Sequence, residues 1–209
     1  RKDTTVKDDY FGTVVADPYR WLENDTSAET ANWVKAENEI TQGYLSKIPF
    51  RDAIKKRYEA LYNYEKYSAP FKEGKYTYYY LNTGLQNQSV LYRQEADNAT
   101  PEVFLDPNTF SSDGTTSLSG IAFSNDGSMA AYNISEGGSE WQKIVVMDAI
   151  TKKQTNDTLE LKFSGASWKG NEGFYYSNYH RGGGSVLSAK NENHKLYYHK
   201  LGTPQKEDK

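Results

Sequence analysis

The sequence predicts a mainly β protein behind an N-terminal helical segment, its strands grouped into the first blades of a β-propeller. Three observations carry this. Tyrosine is the dominant large apolar residue, with 18 Tyr and 4 Trp against only 2 Met in 209 residues, and aromatic rings pack well on pleated, half-buried surfaces. The hydrophobic period changes from helical to strand-like at about Ser68. From there the chain resembles itself at a displacement of 45 positions, within the roughly 40–50 residues of a propeller blade.

The helical part comes first. Asp17-Pro18-Tyr19-Arg20-Trp21-Leu22-Glu23 leads to Thr26, which with Glu29 reads as a capping box. Trp33, Val34, Glu37, Ile40, Thr41, Tyr44, Leu45 and Ile48 recur at three- and four-residue steps, predicting one long amphipathic helix that ends at the Pro49 turn. A second helix is expected from about Arg51, with Ile54, Tyr58, Leu61 and Tyr62 on one face.

Strands follow from about Ser68. Lys75–Tyr80 and Ser89–Arg93, separated by the turn-prone stretch Asn82–Asn87, read as a hairpin. Ile121-Ala122-Phe123, a turn at Asn125-Asp126-Gly127, and Met129–Tyr132 form the next unit, completed by Ile144–Asp148. Sliding by 45 lays Gly120 on Gly165, Phe123 on Trp168 and Met129 on Phe174, and the third strand returns as Lys195–His199 after an insertion at Arg181 to Asn191. Pro70–Tyr76 is a looser, earlier copy. A β-sandwich with coincidental spacing is the competing architecture. The repeats fill fewer than three units whereas a closed ring needs at least about four blades, so a propeller here is an incomplete one, a part of something larger.

Composition narrows function mainly by exclusion. A net charge of −3 offers no basic field for nucleic acid, and no apolar run approaches the roughly 20 residues of a membrane-spanning helix. No cysteine is present, which removes thiol chemistry and disulfides. No signal peptide is expected within these residues: position 1 falls directly on the polar Arg1–Thr5 stretch, so any leader would have been removed or never present. No catalytic residue is expected: there is no G-x-S-x-G elbow, and the nearest approach, Gly137-Gly138-Ser139-Glu140-Trp141, reads as a polar turn between strands. His180 and His194 read as loop residues and His199 as a surface or packed strand residue, so no metal site and no cofactor are expected. Gly182-Gly183-Gly184-Ser185 lacks the lysine of a phosphate loop and reads as a flexible connection. Asp113-Gly114 and Asp126-Gly127 are turn pairs without the spaced carboxylates of a calcium loop.

Several blocks carry a resemblance. Asp17–Glu23, Asn63–Phe71, Gly84–Tyr92, Leu105–Asn108, Asp113–Leu118, Lys162–Trp168 and Lys195–Thr203 resemble, in order and over nearly the whole chain, the opening of the prolyl oligopeptidase family of serine peptidases. The first block is shared with oligopeptidase B enzymes; Asn63-Tyr64-Glu65-Lys66 and Gly84-Leu85-Gln86-Asn87-Gln88 point to the prolyl branch. The resemblance implies a seven-bladed propeller capping an α/β-hydrolase domain that carries the Ser, Asp and His triad in the C-terminal part of the family's sequence. It implies residues 1–65 as arm and helices packing on that hydrolase domain, and residues 66–209 as the first two to three blades. The activity implied is cleavage after proline in short proline-containing peptides, the propeller restricting substrate size, with no nucleic-acid or membrane partner. Phe163, in the Lys-Phe-Ser segment, would line an apolar subsite two residues upstream of the proline pocket; the competing reading is a propeller core residue. The insertion from Arg181 corresponds to a mobile loop near the family's domain interface. Bacterial members acting in the periplasm are the closest in kind, with the cytoplasm as alternative. Rival functions are a non-enzymatic propeller interaction module and an oligopeptidase B-like peptidase cleaving after Lys or Arg.

Overall fold

A computed structural model describes residues 1–96, 98–179 and 191–209. These fall into two compact units, Arg1–Arg57 and the remainder from Tyr58. Within the first, β1 (Lys7–Tyr10) and β2 (Thr13–Ala16) form an antiparallel hairpin. Arg20, opening a short 3-10 turn, clasps it: the guanidinium donates to Asp8 and, at 2.9 Å, to Asp17. Trp21 Nε1 donates to the Arg1 carbonyl at 2.9 Å. The conspicuous block at residues 17–23 is therefore a local clasp.

Helix α1 spans Ala28–Leu45 and α2 spans Arg51–Tyr62, close to the periodic segments. The start of α1 differs from expectation. Its cap is Ser27, whose Oγ accepts from the Thr30 N–H at 3.1 Å, while the Thr26 hydroxyl turns back to Asn24. Adjacent capping-type residues compete for the N-cap, and the extended backbone of Ser27 aims its hydroxyl at the orphan N–H. Among its residues only Thr30 is buried; Trp33, Val34, Ile40 and Tyr44 are exposed.

The second unit is three consecutive antiparallel sheets. In the first, β3 (Lys66–Tyr67) and β4 (Phe71–Glu73) both pair with β5 (Tyr76–Asn82), followed by β6 (Val90–Gln94) and β7 (Glu102–Leu105). The second is an uninterrupted meander of β8 (Thr116–Phe123), β9 (Met129–Glu136), β10 (Trp141–Asp148) and β11 (Gln154–Lys162). The third comprises β12 (Ser167–Lys169), β13 (Gly173–Asn178) and β14 (Lys195–Lys200). They do not close on one another, and the architecture is a partial β-propeller.

Sheet stacking explains the letters of β9 and β10. Ala130, Tyr132 and Met147 face the first sheet, against Tyr78, Leu91 and Phe104. Ala131, Ile144 and Val146 face the third, against Phe174 and Tyr176. The middle blade is thus buried on both faces, so β9 and β10 each carry a continuous apolar run, Met129–Tyr132 and Ile144–Met147, instead of alternating with polar residues there. Burial pushes the Tyr78 and Tyr132 hydroxyls above the ordinary phenol pKa. The 45-residue offset becomes a physical contact: Asn171 Nδ2 donates to Asp126 Oδ2 at 2.7 Å, joining equivalent turns of neighbouring blades. At the next such junction Gly127 (φ 72°) passes so close to Gly74 that an added Cβ would sit 2.5 Å from the Gly74 nitrogen, so both turns need glycine.

Candidate functional site

The site is built where the second blade hands the chain to the third. β11 ends at Lys162, and Phe163 takes the left-handed conformation (φ 57°) before the chain enters β12. A bulky residue there carries a backbone cost of about 1–2 kcal/mol and persists only where neighbours over-determine it. They do. The Lys162 N–H donates to Asn178 Oδ1 at 3.2 Å, Asn178 Nδ2 donates to the Glu160 carbonyl at 2.8 Å, and Tyr179 N–H returns to Asn178 Oδ1 at 2.8 Å. On the other side Ser164 Oγ accepts from Ser177 N–H at 2.9 Å and its carbonyl accepts from Asn133 Nδ2 at 2.9 Å.

The ring held in this way is not in the core. Phe163 is 53% exposed, its side chain meeting Tyr179 edge-on at a centroid distance of 6.2 Å. It borders a cavity of about 440 Å³ lined by Ile121, Ala122, Asn133, Gln142, Ser164 and Gly165, together with Ser119, Gly120 and Ala166. Ser119 and Gly120 also border a second cleft of about 310 Å³, whose other walls are Tyr80, Gln88, Ser89, Pro107 and Leu118. The two meet at a β-bulge: pairing of β8 with β9 shifts between Leu118 and Gly120, leaving Ser119 without a cross-strand partner. Bulges re-aim side chains in this way beside binding sites. Gln88 fastens the nearby strand, donating to the Thr116 carbonyl at 2.8 Å and accepting from Leu118 N–H at 2.9 Å.

No residue lining either space is an acid, a base or a histidine. Such a surface binds apolar and amide groups but has nothing to activate a nucleophile. Among the described residues no group of three His, Cys, Asp or Glu could hold a metal ion. Ser139 lies in a tight turn between β9 and β10, its carbonyl accepting from Ser135 Oγ at 2.7 Å. Asp126 caps its own turn, and its hydrogen bonds from Ser128 hold the carboxyl below the usual range.

Of the histidines, His180 lies outside the described residues, as do the Gly182–Ser185 run and all of the insertion except Asn191. His194 stacks on the Tyr179 ring at 4.3 Å. His199 holds a feature that sequence reasoning missed. It is wholly buried, with Nδ1 2.9 Å from Asp208 Oδ1 and Nε2 3.2 Å from Asp157 Oδ1. Both carboxylates are buried as well, and Tyr176 donates to Asp208 at 2.8 Å. With an acceptor at each ring nitrogen, both contacts are hydrogen bonds when the ring carries both protons. The pin joins β11, β14 and the segment after it, inside the blade stack and apart from the cavity. Its only sequence signal is the buried register of β14, and the two aspartates stand 42 and 9 positions away.

Comparison with known proteins places these observations. The family profile described as "Prolyl oligopeptidase, N-terminal beta-propeller domain" matches residues 1–209. A protein named prolyl endopeptidase from Elizabethkingia meningoseptica is 57% identical over 99% of the chain, which spans 30% of that relative's length. A solved structure from a study of two prolyl endopeptidases superposes with a TM-score of 0.85 at 29% identity, over all of this chain and 31% of that one. Prolyl oligopeptidase B from Galerina marginata, solved bound to a 35mer hydrolysis and macrocyclization substrate, gives 0.74 at 32% identity, over 94% of this chain and 30% of that one.

Proposed function

The chain belongs to the prolyl oligopeptidase N-terminal β-propeller family, and from that premise we propose that it shapes the substrate cavity of a longer serine endopeptidase cleaving short peptides after proline. The chemistry would be acylation of a serine whose proton passes to a histidine. Those residues would stand on an α/β-hydrolase domain outside residues 1–209. Residues 1–65 would pack on that domain, and residues 66–209 would wall the cavity and exclude folded proteins.

The observation that carries this reading is the half-exposed Phe163 ring, held in a costly backbone conformation at the rim of an uncharged cavity. A phenyl ring so placed suits an apolar side chain upstream of the scissile bond, and the amides of Asn133 and Gln142 suit the peptide backbone beside it.

The test is direct. The full-length protein should cleave after proline, and residues 1–209 alone should cleave nothing. Cleavage confined to sites after Lys or Arg would replace the post-proline reading, and no peptidase activity in the full-length protein would leave an interaction module. Phe163→Ala should raise KM by about tenfold for substrates reaching three residues upstream of the cut, the scale of one lost apolar contact of about 1–3 kcal/mol. Dipeptide-length substrates should be nearly unaffected; equal effects on both would remove Phe163 from the subsite.

A further inference from the structure

We infer that Lys162 is a positioning residue that holds the Phe163 ring at the cavity mouth, a role resting on the substrate-contact reading of Phe163 given above. A lysine at the end of a strand ordinarily runs its stem along the surface and leaves its ammonium in water. Lys162 does not: its side chain is only 6% exposed. The ammonium lies 3.0 Å from Glu140 Oε2 and 3.0 Å from Asn191 Oδ1. It also lies 4.9 Å from the centroid of the Phe163 ring and 5.9 Å from that of Trp141, both inside cation–π range of about 6 Å.

Burying an ammonium is costly unless partners compensate it. Here one partner is weak, because the Glu140 side chain is 62% exposed and its attraction is screened. An apolar residue would pack against Phe163 and Trp141 at lower cost. What the ammonium adds is direction. One charge tethers an aromatic face on each of two strand ends, Trp141 opening β10 and Phe163 following β11, and ties both to Asn191.

Phe163 needs neighbours because its left-handed conformation is itself unfavourable and persists only where the surroundings hold it. The restraint is divided among neighbours. Asn178 pins the backbone, Tyr179 meets the ring edge-on and Lys162 attracts its face. Lys162 does not line the cavity, so its influence on a bound peptide passes through Phe163.

A double-mutant cycle in the full-length protein tests this. Lys162→Met keeps the length and apolar character of the side chain and removes the charge. On peptides reaching three residues upstream of the cut, it should raise KM about three- to tenfold, the scale of a desolvated cation–π contact, with kcat within about twofold. Dipeptide-length substrates should show no change. Combined with Phe163→Ala, it should add nothing to the loss caused by Phe163→Ala alone, since its target is gone. Additive losses, or a loss shared by short substrates, would overturn the positioning role while leaving the Phe163 subsite standing. If Phe163→Ala alone leaves KM unchanged, the subsite reading fails and the role of Lys162 fails with it. Should Lys162→Met not fold, Asn191→Ala, which removes one tether of the ammonium, should raise KM on long substrates only; an unchanged KM on both would overturn the proposal.

Discussion

Helix α1 and the middle blade are equally regular in sequence and opposite in how they use that regularity. On α1 the apolar letters recur at helical spacing, yet Trp33, Val34, Ile40 and Tyr44 all remain exposed and only Thr30 is buried. In the blade β8–β11, Ala130, Ala131, Ile144, Val146, Leu159 and Leu161 are all fully buried. An amphipathic pattern states that a face will be covered, whereas only packing supplies the cover. The blades find theirs in the neighbouring blade, at a fixed offset along the same chain. The apolar side of α1 is the surface that the proposed hydrolase domain would cover.

Substitutions can break or sharpen this contrast. The largest effect is expected at the buried pin. His199→Leu leaves Asp157 and Asp208 buried without the ring between them, which should cost about 3–5 kcal/mol in chemical denaturation. A loss below about 1 kcal/mol would mean that the hydrogen bonds these carboxylates keep, from Gly202, Thr155 and Tyr176, hold them without the ring.

A smaller effect is expected at the clip between the first two blades. The Arg93 guanidinium, buried, donates to Glu102 at 2.7 Å and to the carbonyls of Ala149 and Ile150. Lys152 and Arg93 hold the Glu102 carboxyl below its usual pKa. A depressed carboxylate contributes stability above its unfolded pKa, and that contribution is lost as pH falls through the folded value. Glu102→Gln should therefore cost about 1 kcal/mol or less at neutral pH, Glu102 being half exposed and screened. The gap from the unsubstituted protein should close on acidification below about pH 4, measured as stability against pH; a gap constant with pH would remove the ion pair from the clip.

The smallest effect is expected on the helix. Ile40, 69% exposed, should tolerate Ile40→Ala within about 0.5 kcal/mol in residues 1–209. The same change should cost more than about 1 kcal/mol in the full-length protein if the face is covered there. Equal costs in both would sever the helix from the proposed docking role.

Much of the fold was legible in the letters because it rests on local rules. Helical spacing marked α1 and α2, turn residues at 82–87 and 125–127 marked hairpins, and the 45-residue displacement marked the blades. The strands β1, β2, β3, β7 and β11 were not anticipated. β1 and β2 are short and exposed, whereas β11 alternates buried Asp157, Leu159 and Leu161 with exposed partners among polar letters that no strand pattern marked. For the site, the Lys-Phe-Ser segment singled out Phe163 by resemblance, and nothing local announced its left-handed backbone or the ammonium over its ring.

By itself, then, the sequence determined the periods, the turns and the ordered blocks that carry the family, because each depends on residues a few positions apart or on whole-chain similarity. Tertiary structure decided which of those faces found partners. It placed Asp157 and Asp208 on His199, Arg93 against the carbonyls of Ala149 and Ile150, and Lys162 between Trp141, Phe163 and Asn191. The physical reason is that most of these groups stand far apart in the chain. Stacking one blade on the next, or closing the ends of one blade together, is what brings buried charge to its partner and turns Phe163 out of the core to the cavity rim.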